Sequence, residues 1–234
     1  MVNFTEQYAK VDGQVCRRTK FQSIKMKIFA GTKRIFDVTV ALIGLIILLP
    51  LFIIIAIAIK LDSKGPVFFK QQRTGKFGKP FTLYKFRSMV VDNDVHDFSK
   101  GDKHTRVGKF LRKTSLDELP QLICIVQTKM SFIGPRPWIE DYYEIMNETQ
   151  RHRCDVRPGI TGLAQVHGRN ELNIFEKIGY DLKYIENYSL KQDIKIIFLT
   201  IKTVFSKKGV DAGKGTINNE LKDLETQGAK IWMI

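Results

Sequence analysis

At 234 residues the chain is long enough for one sizeable core, or one core plus an appendage. Its 38 Lys and Arg against 24 Asp and Glu leave a formal charge of +14. The partner is therefore anionic, and phosphates, acidic lipid headgroups and nucleic acid all qualify on charge alone. Cys16, Cys124 and Cys154 lie far apart, which excludes the paired spacing of a disulfide framework or a zinc cluster and fits reduced thiols facing a cytosol.

The first informative segment is Val38 to Ile59, an uncharged apolar run of the length a bilayer-spanning helix needs. A signal peptide would have a shorter apolar part and a small-residue cleavage site. Here a basic stretch precedes the run and Lys60 follows it directly. Pro50 in mid-run lacks an N–H and predicts a kink, and Gly44 adds local freedom. Lys33 and Arg34 before the run and Lys60 and Lys64 after it would both be held on the cytoplasmic face. A helix bent at Pro50 that enters and leaves one leaflet satisfies both ends; a straight span satisfies one. An ordinary kinked transmembrane helix stays open, whereas a soluble core helix would show a polar face, and the run has none.

Beyond Pro66, Val67–Phe69 and Phe81–Phe86 flank the turn GKFGKP and predict a small hairpin. Residues 91–103 read as an acidic, polar loop. Ser115 followed by Glu118 matches a capping box and predicts a helix through Leu116–Val126, with Pro120 tolerated near its start. Gly134-Pro135-Arg136-Pro137 should be a rigid extended loop. Asp141–Arg151 reads as helix, and Arg157–Asn170 as loop or short strand. Ser189 and Gln192 form a second capping box ahead of Ile194, Ile197, Phe198, Ile201, Val204 and Phe205, which share one face among lysines, with Gly209 as the stop. Such a helix can lie in a membrane interface or dock on the core with solvated lysines; the segment alone fits both.

The chemistry concentrates around Arg112-Lys113-Thr114-Ser115-Leu116-Asp117-Glu118. Adjacent carboxylates at a helix start, beside basic residues, can cap the helix, attack phosphorus or hold Mg²⁺ with substrate phosphates. Cations for phosphate surround them in sequence: Lys70, Arg73, Lys85, Arg87 and Arg136. Lys85 and Arg87, two apart on a strand, would share a face and converge on one anion. Arg136 between prolines loses little freedom on forming a bidentate phosphate contact. The four histidines show no metal spacing, and no P-loop, Rossmann fingerprint or Ser/His/Asp order is present.

From Lys33 to about Gly209 the chain resembles the bacterial sugar transferases, the monotopic phosphoglycosyl transferases. The resemblance rests on ordered motifs: KRIFD (Lys33–Asp37), GPVFFKQQRTG (Gly65–Gly75), YKFRSM (Tyr84–Met89), SLDELPQL (Ser115–Leu122), MSFIGPRP (Met130–Pro137) and RPGITGLAQVHGRN (Arg157–Asn170). It implies a helix-rich α+β fold containing a small hairpin or sheet. A basic extension (1–32) would precede a re-entrant membrane helix bent at Pro50 (33–62). A cytosolic catalytic domain with a C-terminal amphipathic helix (63–209) and a polar tail (210–234) would follow. It further implies Asp117 as nucleophile, Glu118 as Mg²⁺ ligand, and Lys85, Arg112 and Arg136 as phosphate contacts, with Gln165 and Arg169 near the nucleotide sugar.

The implied partners are a UDP-sugar, a polyprenyl phosphate such as undecaprenyl phosphate, and one leaflet of the bacterial inner membrane, with the catalytic domain facing the cytoplasm. A homodimer is allowed and nucleic acid is not expected. The implied reaction transfers a sugar-1-phosphate through an aspartyl intermediate and releases UMP. A non-catalytic, membrane-anchored protein that binds anionic lipid or nucleic acid is the alternative. Four positions depart from the family pattern: Leu49 where Ser usually precedes the proline, Cys124 for Asn, Thr128-Lys129 for Gly-Asp, and His167 for Asn.

Overall fold

A computed structural model describes residues 20–90, 104–168, 171–205 and 220–226. The acidic loop 91–103, most of the basic extension and most of the polar tail fall outside the described residues. Helices dominate: α1 (Lys20–Asp62), α2 (Arg106–Thr114), α3 (Gln121–Val126), α4 (Glu140–Ile145), α5 (Glu148–Arg151), α6 (Leu163–His167), α7 (Ile174–Glu186), α8 (Leu190–Phe205) and a last helix, α9, over 220–226. Strands β1 (Phe68–Thr74) and β2 (Pro80–Phe86) form one two-stranded sheet; β3 (Ser131–Ile133) and β4 (Gly159–Thr161) form another. The chain divides into two compact units: residues 1–35, 73–81 and 129–234, and residues 36–72 and 82–128.

The second unit is organised by the apolar helix. α1 is 43 residues long, about 65 Å at the usual rise, and runs unbroken through Pro50. It is the one helix among the described residues long and apolar enough to cross a membrane. Ile55 and Ile59 are buried with Phe86 of β2 and Leu111 of α2, and Leu51, Phe52, Val67, Phe68, Leu116 and Leu119 pack around them. Phe86 meets Phe52 edge-on and stacks on Phe68. Nearer the start of the run, Ala41 is fully buried, and a Cβ added at Gly44 would meet Leu122 of α3 at 3.6 Å. The other side of the run, including Leu42, Ile43, Ile46, Ile47, Ile53, Ile54 and Ile57, is exposed. Where α1 ends, the Asp62 carboxylate accepts from the Val107 N–H and so caps α2, helped by Thr105, whose hydroxyl accepts from Gly108 N.

The predicted hairpin is present, with the Gly75 N–H donating to Lys79 O across its turn. The helix predicted to start at Ser115 is not. Ser115 sits in the left-handed region (φ 57°, ψ 17°) as the C-cap of α2 and makes no side-chain cap. A single turn of 3₁₀ helix, Leu116–Glu118, follows, and α3 begins only after Pro120. The local pattern of a capping box is shared by any turn that reverses between two helices, and here the preceding helix claims the serine. The helix predicted over Asp141–Arg151 is likewise split at Met146-Asn147, because Asn147 caps α5 through a true capping box with Gln150.

In the other unit β3 and β4 pair in parallel, Ser131 opposite Gly159 and Ile133 opposite Thr161. The Gly134 N–H donates to Thr161 O and the Gly159 N–H to Pro135 O, both at 2.9 Å. A Cβ on Gly159 would stand 2.1 Å from Gly134 N, so this close approach requires glycine. The segment 135–139 has no regular structure, as its prolines predict. One core joins Ile133, Val156, Leu163, Tyr184, Ile185 and Ile196; another joins Tyr142, Met146, Ile174, Ile178, Leu182 and Leu224.

α8 decides between the two readings of its apolar face. Ile196 is fully buried, but Leu190, Ile194, Ile197, Phe198 and Ile201 are all exposed. The side chains of Val204 and Phe205 lie outside those described. The predicted face is therefore presented outward, and the helix docks through its opposite side. There Asp193 receives the Lys33 ammonium at 2.6 Å and the Tyr184 hydroxyl at 2.7 Å, all three groups being buried. Only the Ser189 half of the second capping box forms, accepting from Gln192 N at 3.4 Å.

Thr128 has φ 65°, a left-handed conformation that a β-branched residue adopts at a cost, at an exposed position. Thr128→Gly should relieve that strain and raise unfolding stability by about 1 kcal/mol, read as a rise of a few degrees in melting temperature. An unchanged or lower melting temperature would show that the turn carries no such strain.

Candidate active site

The residues that sequence reasoning singled out most strongly come together in the unit that contains the apolar run. Asp117 and Glu118 occupy the 3₁₀ turn between α2 and α3, and Lys85 reaches them from β2. The Lys85 ammonium donates to Glu118 Oε1 at 2.8 Å and stands 4.0 Å from Asp117 Oδ2. All three side chains are partly shielded, between 12% and 21% exposed. One ammonium thus serves two adjacent carboxylates, partly out of water, where charge interactions are stronger than at an open surface.

The turn is pinned from below. Leu116 and Leu119, on either side of the two acids, join the cluster around Ile55 and Ile59 of α1. Packing of that kind leaves a 3₁₀ turn little freedom. Its three residues have too few hydrogen bonds of their own to set the position of the carboxylates.

Arg87 behaves differently from the expectation that it shares an anion with Lys85. β2 ends at Phe86, and the Arg87 guanidinium is buried against the end of α1. It donates to Lys64 O at 2.5 Å, Ser63 O at 2.7 Å, the Ser63 hydroxyl at 2.9 Å and Ile59 O at 3.5 Å. Ser63 and Lys64 stand just past the last residue of α1, at the negative end of its dipole, and a buried arginine there satisfies their carbonyls. Arg112, on α2, is exposed and its guanidinium contacts the His104 ring. His104 carried no signal in the sequence beyond its residue type.

The remaining predicted residues belong to the other unit. Arg136 is exposed, between buried Pro135 and Pro137, beside a small cleft that Thr74, Gly75, Arg153, Cys154, Val156 and Pro158 also line. Its backbone is held while its side chain is presented: Arg153 Nη2 donates to Arg136 O at 2.8 Å, and the Thr74 N–H donates to Trp138 O at 2.8 Å. Arg153 is itself buried, bonded to Asp181 Oδ2 through Nε at 3.0 Å and Nη2 at 2.7 Å, and lies 3.7 Å from the Trp138 ring centroid. Gln165 sits on α6 with both side-chain polar atoms enclosed and without hydrogen bonds. His167 stacks on Tyr180. Arg169 lies outside the described residues.

Sequence reasoning missed Arg153, Asp181 and the Lys33–Asp193–Tyr184 group. Their partners are distant in the chain, and an isolated Arg or Asp on a helix reads as a surface charge. Both described cysteines are buried, and burial pushes each thiol up from its usual range. Cys124, at one of the departures from the family pattern, donates weakly to Thr82 O.

Among the described residues no group of three or more His, Cys, Asp and Glu is placed to hold a metal. Mg²⁺ needs no such cage, since it is ordinarily bound by one or two carboxylates together with substrate phosphates. The hard oxygens of Asp117 and Glu118 fit that donor set.

Comparison with known proteins gives one consistent picture. The profile of the family described as bacterial sugar transferase matches residues 28–207. An uncharacterized sugar transferase, EpsL of Bacillus subtilis, is 42% identical over 184 residues, covering 76% of this chain and 89% of that protein. A UDP-glucose:undecaprenyl-phosphate glucose-1-phosphate transferase of Klebsiella pneumoniae is 46% identical over 190 residues, and a galactosyl transferase, CpsE of Streptococcus agalactiae, 42% identical over 193. The match covers 75% and 76% of this chain but only 40% and 43% of those two longer proteins.

The two neighbouring cations should separate in their effect on folding. Arg87→Met removes the buried donor to the Ser63 and Lys64 carbonyls and the Ser63 hydroxyl and should lower unfolding stability by about 2–4 kcal/mol. Lys85→Met removes a partly exposed ion pair and should change it by no more than about 1 kcal/mol. Chemical denaturation of both variants reads this directly, and equal losses would contradict the assignment.

Proposed function

The chain belongs to the bacterial sugar transferase family and is an enzyme of it, and on that premise we propose that it moves a sugar-1-phosphate from a UDP-sugar to a polyprenyl phosphate, releasing UMP. The acceptor is undecaprenyl phosphate, as the name of the Klebsiella relative suggests, and the product opens the assembly of a glycan on the membrane. The observation that carries this reading is the Asp117–Glu118–Lys85 group, seated on a turn whose flanking leucines pack against the apolar helix. A reaction between a water-soluble diphosphate and a lipid phosphate needs its reacting groups at the edge of the bilayer, and packing against an apolar helix suits that requirement.

The reaction runs in two displacements. A carboxylate oxygen of Asp117 attacks the β-phosphorus of the UDP-sugar; the bond from that phosphorus to the bridging oxygen breaks, and UMP leaves with the electron pair. The phosphosugar is then an acyl phosphate on Asp117. A phosphate oxygen of the polyprenyl phosphate attacks the same phosphorus, the bond to Asp117 breaks, and the carboxylate is restored as the sugar-diphosphate-lipid departs. Two steps on one residue let the soluble donor leave before the lipid acceptor reacts. Lys85 and Arg112 offer positive charge to the phosphate oxygens as negative charge shifts during transfer. Arg136 is a further phosphate contact and Gln165 a contact to the nucleotide sugar, on the strength of the motifs that hold them. Mg²⁺, held by Glu118 and the donor's phosphates, would neutralise charge on the departing UMP.

The apolar helix enters one leaflet of the cytoplasmic membrane, with the catalytic residues on the cytoplasmic side. Protein covers one side of α1 at Ala41, Gly44, Ile55 and Ile59, while apolar side chains are exposed on the other. A helix crossing the whole bilayer would draw the hairpin and the polar turn into hydrocarbon with it, which their charged groups forbid. Basic residues at both ends of the run favour the same side, which a bend at Pro50 would allow. The outward apolar face of α8, with Lys191, Lys195 and Lys202 alongside, suits a lipid headgroup layer.

Release of UMP from a panel of UDP-sugars, with undecaprenyl phosphate in vesicles, tests the proposal. Asp117→Asn should lower turnover by at least about 10³-fold, and Lys85→Met by about 10²-fold, both still sedimenting with the vesicles. Undiminished turnover by Asp117→Asn would sink the mechanism.

A further inference from the structure

The family profile ends at residue 207, yet residues 220–226 form a helix fitted against the Arg136-bearing unit. Leu224 of α9 is 2% exposed, in the core with Tyr142, Ile174, Ile178 and Leu182. Glu220 divides its carboxylate: Oε2 accepts from the Tyr142 hydroxyl and Oε1 from the Lys177 ammonium, each at 2.7 Å. From Tyr142 the contacts lead to the GPRP loop. Its ring lies 5.1 Å from that of Trp138, and the far side of the line is the Arg153 guanidinium, 3.7 Å from the Trp138 centroid, which holds the Arg136 carbonyl.

The element in the middle is weak by itself. α4 is six residues long and α5 four, well short of what a helix needs to persist without tertiary support. What covers α4 therefore decides where its residues stand, and α9 covers it at Tyr142. Burial, with Glu220 beside it, pushes the Tyr142 hydroxyl up from its usual range, so it remains a neutral donor to the carboxylate at all working pH values.

We propose that α9 is a clasp that positions Arg136 for the phosphates of the donor, with Glu220, Tyr142 and Trp138 as positioning residues. The inference rests on the reading that Arg136 contacts the UDP-sugar. Contacts that orient a binding group without entering the reaction act on donor affinity, so loss of the clasp raises the KM for the UDP-sugar and spares the acceptor.

The test uses the full chain with Trp232→Phe, which leaves Trp138 as the single tryptophan. Glu220→Ala with Leu224→Ala releases the clasp. The expected result is a five- to ten-fold rise in KM for the UDP-sugar, kcat and the KM for undecaprenyl phosphate within two-fold, and a red shift of Trp138 emission. Lys177→Glu with Glu220→Lys, which restores an ion pair in reverse, should recover most of the donor affinity lost by Glu220→Lys alone. If the released variant fails to fold, Tyr142→Phe removes one hydrogen bond and should raise the donor KM two- to three-fold. A shifted Trp138 emission with unchanged donor KM overturns the proposal, as does a parallel fall of kcat and both affinities that tracks melting temperature. Absence of transfer by the parent chain itself would instead overturn the functional reading beneath it.

Discussion

Two carboxylates side by side on a three-residue turn repel each other, and so short a turn holds its own shape only weakly. Lys85 offsets that repulsion from β2, and Leu116 and Leu119 fasten the turn into the apolar cluster around Ile55 and Ile59. The rest of that unit can be understood as support for this arrangement. The hairpin carries the lysine, α2 and α3 hold the two ends of the turn, and Arg87 closes the end of α1 so that the cluster has a fixed floor. Charge compensation and the apolar helix thus meet within a few residues, as the proposed transfer between a soluble nucleotide sugar and a lipid phosphate would require.

Much of this was legible in the sequence because it depends on local pattern. The apolar run, the hairpin around GKFGKP, the extended GPRP segment and the amphipathic pattern of α8 follow from composition and periodicity over a handful of residues. The acidic pair stood out for its neighbours Arg112 and Lys113, though in the folded chain its close cation is Lys85, thirty-three positions earlier. Sequence placed a capping box at Ser115 because the residues at the required spacing are there; it could not show that α2 would end on the same serine. Arg87 misled for a related reason. Spacing along a strand predicts a shared face, but the Arg87 guanidinium is drawn to the Ser63 and Lys64 carbonyls and the Ser63 hydroxyl just past the end of α1.

What stayed hidden depends on long-range pairing. The parallel join of β3 and β4, the Arg153–Asp181 ion pair, the Lys33–Asp193 bridge and the hold of Glu220 on Tyr142 each link positions that no local pattern relates. The side-chain pairs among them share a character: buried or half-buried charges with assigned partners, which are expensive to leave alone and hence restrictive about geometry. In the unit that bears Arg136 they hold the loop from several directions while its side chain stays exposed. The departures from the family pattern are accommodated rather than central. Cys124 is packed away from solvent, and Thr128 carries the local strain that the more usual glycine would avoid.

The central claim is that Asp117 forms a covalent bond to the phosphosugar. Brief incubation of the membrane-bound protein with a UDP-sugar, without any lipid acceptor, followed by acid quenching, proteolysis and mass spectrometry, addresses it directly. The account predicts a mass increase of one sugar phosphate on the peptide containing Asp117, lost when undecaprenyl phosphate is added. Transfer to the lipid at full rate with no such adduct, or an adduct on a different residue, would contradict it.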